Sequence, residues 1–256
     1  MERSPRTVDA VATACELLDL LEERHEASVT GLAEDLDVNK STVYNHLATL
    51  REKRFVVKDD TSYRLGLRAL SAAETVKQQV DSYDTIVDEL DGLVEKTGEV
   101  AQFAVEEQTR LMYVYKAEGE NAIPVVTDVG HDSGRAGFHS TGLGKAILAH
   151  LPEDRRASIL GAEPFESFTE NTITDRETLD RELEAVRDRG YAIDCGESYR
   201  GLQCVAAPVT EDDGSILGAV SVSGPASRMN DERVESELAP LVLGTANVIA
   251  LNTSIP

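Results

Sequence analysis

The chain is 256 residues long, 41% hydrophobic and strongly acidic, with 47 Asp and Glu against 25 Lys and Arg and a formal charge of −22. It is long enough for two domains or one large one, but holds no run of about 18 apolar residues that would span a bilayer. MERSPRTVDAVATACELL lacks the apolar core and cleavage site expected of a secretory signal, and three cysteines (Cys15, Cys195, Cys204) form no CxxC pair and no metal ladder, an odd, low count that fits a reducing cytosol.

The acidity is that expected of a halophile cytosol, where a highly charged surface suits molar salt. It is unevenly spread. Residues 1–68 carry 13 acidic and 10 basic groups, net −3, whereas residues 38–58 carry five basic groups and one acid, net +4. The charge total therefore describes mainly the second part of the chain.

In chain order, TVDAVATACELLDLLEE is a helix with Val11, Ala14, Leu18 and Leu21 on one stripe. SVTGLAEDLDV is a short second helix, with Ser28 as N-cap and Leu32 and Leu36 inward. A turn at Asp37-Val38 leads to a third helix, capped by Asn39, that buries Val43, Leu47 and Leu50. FVVK and SYRLG, joined by DDTS, form a two-stranded wing. Three helices and a wing make a winged helix-turn-helix.

RALSAAETVKQQV reads as a linker helix, with Leu67, Leu70, Val76 and Val80 as its apolar surface. YDTIVDELDGLVEKTG is a second helix, burying Ile86, Leu90, Leu93 and Val94 and stopped by Gly98. EVAQFAVEE and TRLMYVYKAE are neighbouring strands. GLGKAILAHLP is a helix ended by Pro152. TDRETLDRELEAVRDRG is a helix opened by a Thr174–Glu177 capping box and closed by Gly190. YAIDCGE, LQCVAAPVT and SILGAVSVSG are strands, the last two joined by EDDG, and a helix fills residues 230–250. The result is an α/β sensor-like domain with a mostly antiparallel sheet. No GxGxxG or Walker loop is present, so no nucleotide or other cofactor is expected.

On the third helix, Ser41, Thr42, Asn45, Ala48 and Thr49 lie opposite Val43, with Tyr44 at the edge. These are groups suited to base edges: Asn can pair with adenine, and a Thr methyl can meet that of thymine. Lys40, Arg51, Lys53, Arg54 and Arg64, at the helix ends and in the wing, are the expected phosphate contacts.

In the second domain, the amides of Gly142 and Leu143 open a helix at its positive end, a place for a carboxylate. If Asp213-Gly214 is a two-residue turn, partners across the last two strands sum to 427. Cys204 then faces Ser223 and Ala206 faces Ser221, all on one side of the sheet, as a small polar floor. A thiol site of Cys204 with Asp194 and a histidine lacks a nucleophile motif, so no enzyme is expected. His131, Asp132 and His139 match no zinc spacing, so no metal is expected.

The sequence resembles the IclR family of transcriptional regulators over nearly its whole length. VNKSTVYNHLATLREKRFV is similar to the family's recognition helix and YRLG to its wing. FHSTGLGKAILAHLP, TITDRETLDRELEAVRDRGYAIDCGE, GLQCVAAPV and GAVSVSGPASR follow in the order of its effector-binding domain. The resemblance implies an α+β chain in three parts. These are a winged helix-turn-helix DNA-binding domain (1–67), a linker helix (68–82) and a GAF-like α/β effector-binding domain with an antiparallel sheet (83–256).

It also implies a dimer or tetramer on a palindromic operator and a small-molecule effector, often a small carboxylic acid, an aromatic acid or a sugar-derived compound; Asp194, which would repel a bare carboxylate and accept from a hydroxyl, favours a hydroxy, oxo or sugar-derived acid. Control of carbon-catabolism genes is the corresponding expectation, with no membrane partner. A metabolite sensor without DNA binding is the alternative. Family ligand positions fall on Gly142, Leu143, Asp194, Cys204, Ser221 and Ser223. Gln203 and Cys195 depart from the pattern, where arginine and an acid are common.

Overall fold

The computed structural model describes residues 6–123, 136–161 and 165–253. They divide into two compact units, Met1–Val80 and Asp81–Pro256.

The first unit contains α1 (Asp9–Arg24), β1 (Ala27–Ser28), α2 (Val29–Asp35), α3 (Lys40–Glu52), β2 (Val56–Asp59), β3 (Ser62–Leu65) and α4 (Arg68–Lys77). Leu17, Leu21, Leu32, Val43, Leu47, Val56 and Tyr63 form its core. Each large side chain there contributes about 1.5–3 kcal/mol by leaving water. Both expected caps form: Ser28 Oγ accepts from Gly31 N–H at 3.2 Å, and Asn39 Oδ1 from Thr42 N–H at 2.9 Å.

Two details differ from the sequence reading. The inward stripe of α1 runs through Leu17 and Leu21, flanked by Leu18, whereas Val11 is 60% exposed. Residues 9–12 are all exposed, so the first turn of α1 projects past the small core. The wing sheet has three strands, because β1 adds to β3 through Ala27↔Tyr63 and Ser28↔Ser62.

The second unit contains α5 (Tyr83–Thr97), β4 (Val100–Glu107), β5 (Arg110–Glu118), α6 (Ala136–Ser140), α7 (Gly142–His150), α8 (Glu153–Leu160), α9 (Arg176–Arg189), β6 (Ala192–Asp194), β7 (Leu202–Thr210), β8 (Ile216–Pro225) and α10 (Asp231–Thr253). The strands form one antiparallel sheet in the order β5-β4-β8-β7-β6. Helices α7 and α9 pack on one face, and α5 and α10 on the other. By length and composition alone α10 is long and apolar enough to cross a bilayer. Here its Val242, Ala246 and Ile249 are buried, and the helix packs on β7.

The N-cap of α9 is Asp175, which accepts from Thr178 N–H at 2.9 Å. The expected Thr174 lies one residue too early, and the carboxylate makes the stronger cap beside the helix's positive end. Between β7 and β8 the turn is longer than two residues: Glu211 N–H donates to the Ser215 carbonyl, and Gly214 N–H to that of Glu211. The partner sum is 426 at Thr210↔Ile216, and a register shift restores 427 from Val209↔Gly218 onward. Cys204 therefore still faces Ser223, and Ala206 still faces Ser221.

Near one end of the sheet, Glu99 is almost wholly buried. Arg228 grips it through two bonds of 2.8 and 2.6 Å, and Arg233 reaches it at 3.2 Å. Burial alone would raise the Glu99 pKa, but the two guanidinium groups hold it below the ordinary value.

Candidate functional site

On α3 the sequence-predicted reading face is exposed at Ser41, Tyr44, Asn45 and Thr49, with Ala48 half-buried, while Val43 and Leu47 point inward. Three hydroxyls on this helix already have local partners. Ser41 Oγ and Thr42 Oγ1 donate to Asn39 Oδ1 at 2.5 and 3.0 Å, and Thr49 Oγ1 donates to the Asn45 carbonyl at 3.1 Å. Each keeps acceptor capacity and its carbon surface, but Asn45 is the exposed amide free to pair with a base edge by both its ends. Lys40, Arg51, Lys53, Arg54 and Arg64 are all exposed. Arg54 ends the turn after α3 at φ 67, a conformation costly for a residue with a side chain.

In the second unit the ladder sets Asp194, Cys204 and Ser223 side by side across β6, β7 and β8. The next rung on that face is Ala192, Ala206, Ser221 and Gln102. The start of α7 sits directly on these rungs. A Cβ at Gly142 would lie 3.0 Å from Cys204 Sγ and 3.3 Å from Ala206 Cβ, so a side chain at this position would crowd the sheet. Thr141 caps α7 by accepting from Gly144 N–H at 3.0 Å. The amides of Gly142 and Leu143 are left as the first two of the helix, without partners inside it.

Beside this contact lies a small cleft. Its walls are Gln102, Tyr113, Thr141, Leu143, Asp194, Ser198, Tyr199, Leu202, Cys204 and Ser223. Of the sequence-predicted positions, Leu143, Asp194, Cys204 and Ser223 line it. Gly142 stands at its edge on Cys204, and Ser221 lies in the next rung, fully buried, with an Oγ that makes no hydrogen bond. Tyr113, Tyr199, Ser198 and Gln102 were not marked by the sequence, because strands and loops far apart in the chain supply them.

Asp194 accepts from Glu197 N–H at 2.6 Å and from Ser198 Oγ at 2.5 Å. Burial raises its pKa despite these bonds. Behind it, Lys145 of α7 is buried and donates to Glu197 Oε1 at 2.5 Å and to the Ile193 carbonyl at 2.6 Å. Glu197 Oε2 is buried and makes no hydrogen bond, and burial raises the Glu197 pKa to about 6 even beside Lys145.

Burial also pushes the Cys204 thiol up to about 12, with the Asp194 charge adding to the effect. A thiol held neutral at that level is a poor nucleophile. His139, the histidine weighed for a metal or a catalytic role, is buried. Its Nε2 lies 2.9 Å from the Glu166 carbonyl and its ring stacks on Phe165 and Phe168. His131 and Asp132 lie outside the described residues. Among the described residues no group of three or more His, Cys, Asp or Glu is arranged to hold a metal ion.

Residues 77–251 match the family model described as the C-terminal part of the bacterial transcriptional regulator IclR, and residues 12–58 match that of the bacterial regulatory proteins of the arsR family. The chain is 30% identical over 246 residues to the probable HTH-type transcriptional regulator ArcR of Halobacterium salinarum, covering 96% of this chain and 94% of that protein. It is 28% identical to the HTH-type transcriptional regulator KdgR of Escherichia coli, over 94% and 91% of the two chains. Among solved structures, the IclR protein of Thermotoga maritima superposes with a TM-score of 0.81 at 31% identity, over 96% of this chain and 99% of that one.

Proposed function

The chain belongs to the IclR family of DNA-binding transcriptional regulators, and from that premise we propose that it binds a two-fold operator as a dimer or a dimer of dimers. In this reading a small hydroxy, oxo or sugar-derived acid, sensed by the second unit, governs operator binding. Asn45 reads a base edge, with Ser41, Thr42, Tyr44 and Thr49 around it. Lys40, Arg51, Lys53, Arg54 and Arg64 hold phosphates. The genes controlled are those that consume the acid or its precursors.

Self-association rests on α4. Leu67, Leu70 and Val76 are exposed by 78%, 60% and 57%, and no α4 residue is buried, so this apolar surface is available to a second copy. Sedimentation that gives a monomer at micromolar protein would overturn the dimer.

The observation that carries the ligand reading is the cleft wall itself. Asp194 and Ser223 offer oxygens to ligand hydroxyls, Leu143 and the tyrosine rings offer apolar surface, and among the described residues that line the cleft there is no lysine, arginine or histidine. A ligand carboxylate is therefore met by the Gly142 and Leu143 amides, while Asp194 accepts from a ligand hydroxyl. Signalling requires the ligand to bind the DNA-competent and DNA-incompetent states unequally.

Selection of DNA fragments from a random library in molar KCl tests the operator. Thermal shift with glycerate, gluconate, pyruvate and glycerol tests the ligand class, because bound ligand raises the melting point. An enriched inverted repeat and a response to a hydroxy or sugar acid are expected. Absence of any enriched sequence, or a response confined to glycerol, overturns the corresponding half of the reading.

A further inference from the structure

The first unit carries a concavity of its own, which Asn45 does not line. Arg51 at the end of α3, Arg54 in the following turn, Lys58 and Arg64 of the wing, and Arg68 and Ser71 of α4 line one open groove. Among the described residues that line it there is no acid. In a chain of net charge −22, five cations gathered without one carboxylate is not the average surface. Such a groove concentrates polyanions by its field.

Lys58 and Arg68 were not among the positions that the sequence marked for DNA. Arg68 opens α4, a helix whose place in the chain suggests only a spacer. Its guanidinium is nevertheless tied to the DNA-reading half. Nη1 donates to the Lys53 carbonyl at 2.9 Å, and the group lies over the Phe55 ring, 4.6 Å from its centre. Gly66 adds to the clamp: its N–H donates to the Phe55 carbonyl at 2.7 Å, and a Cβ there would come within 2.5 Å of the Arg54 carbonyl oxygen. The first turn of α4 is thus pinned to the end of α3. One N–H of Arg68 is used internally, which leaves most of its five donors for another partner.

We propose that the first turn of α4 is part of the DNA-holding surface, and that Lys58 and Arg68, with Arg51, Arg54 and Arg64, seat a run of DNA phosphates alongside the reading helix. The proposal rests on the DNA-binding reading above and extends it to the linker. Arg51 belongs both to α3 and to the groove, so one backbone strand passing the reading helix continues into it. The contacts are to phosphate and carry no sequence preference. A movement of α4 would then displace a DNA contact directly.

The test is titration of random-sequence duplex DNA with KCl, read as the slope of log affinity against log salt. Lys58→Gln and Arg68→Gln each remove one charge, and the glutamine at 68 keeps a donor for the Lys53 carbonyl. Each is expected to reduce the slope by about one ion and to weaken binding equally on all sequences. Ser71→Arg adds a cation to the groove and is expected to steepen the slope. Lys77→Gln, at the other end of α4, is expected to keep the wild-type slope.

Wild-type slopes in Lys58→Gln, Arg68→Gln and Ser71→Arg, with wild-type protein binding the duplex, overturn the groove and leave the DNA-binding reading intact. A wild-type protein that binds no duplex at any salt overturns both. If Arg68→Gln does not fold, Lys58→Gln and Ser71→Arg, both at exposed positions, decide the matter.

Discussion

Lys145 Nζ lies 2.5 Å from Glu197 Oε1, a buried pair whose members are 52 positions apart in the chain. The second oxygen of Glu197 makes no hydrogen bond, and burial holds its pKa at about 6, above the ordinary 4.5. An acid with a raised folded value contributes stability that is complete below 4.5 and is lost as pH rises through about 6. The contribution is about 2 kcal/mol. Denaturant unfolding followed from acid to neutral pH should show this fall in the wild type and not in Glu197→Gln. Parallel curves for the two proteins would show that Glu197 titrates as an ordinary acid.

The two serines of the polar floor should separate. Ser221 is buried beneath α7 with only the Cys204 thiol near its hydroxyl, so Ser221→Ala removes a poorly satisfied group and should raise stability by up to about 1 kcal/mol. Ser223 lines the cleft, so Ser223→Ala should leave stability nearly unchanged and weaken the bound acid by about 1 kcal/mol. Melting curves with and without the acid found by thermal shift measure both. A loss of ligand affinity in Ser221→Ala alone would reverse the assignment.

Asn45→Ala should cost about 1–3 kcal/mol on the selected operator and little on random DNA, as loss of a base contact does. Arg54→Gly removes a proposed phosphate contact and also relaxes a backbone held at φ 67. Its affinity should fall alike on operator and random DNA, while its melting point stays at or above that of the wild type. Gel-shift titrations and calorimetry read the two effects separately.

Arg228→Ala takes two of the three arginine bonds from buried Glu99 and leaves Arg233. A destabilisation of about 1–3 kcal/mol is expected, the cost of a poorly satisfied buried acceptor. Because the arginines lower the Glu99 pKa, the wild type holds this stability above 4.5 and loses it as pH falls. The variant's deficit should therefore shrink in acid, which unfolding at two pH values will show.

Much of this was legible from periodicity and caps. The inward faces of α3 and α5, the Ser28 and Asn39 caps, and the pairing of Cys204 with Ser223 follow from spacing and side-chain chemistry. The pairing held although the turn is longer than two residues, because a register shift absorbed the difference. β1 was hidden because two residues make no alternation. Lys145 gave no sign of burial, since a lysine in GLGKAILAH reads as the exposed side of its helix. In fact every residue of α7 up to Ala149 is buried, and the counter-charge comes from the loop between β6 and β7. Lys58 and Arg68 escaped for the same reason: only the fold brings the wing and the head of α4 around one groove.

The seat of Gly142 on Cys204 makes positions 142 and 204 share a single volume. With 3.0 Å between a Cβ at 142 and the sulfur, an alanine there requires Cys204 or the start of α7 to give by a few tenths of an ångström. The pair should thus behave as one unit under substitution. Gly142→Ala and Cys204→Ala, each harmful alone, should partly rescue one another, and a leucine or methionine at 204 should pry open the cleft that Leu143 helps to close. The width of the cleft is in this sense written in the glycine seated beside it.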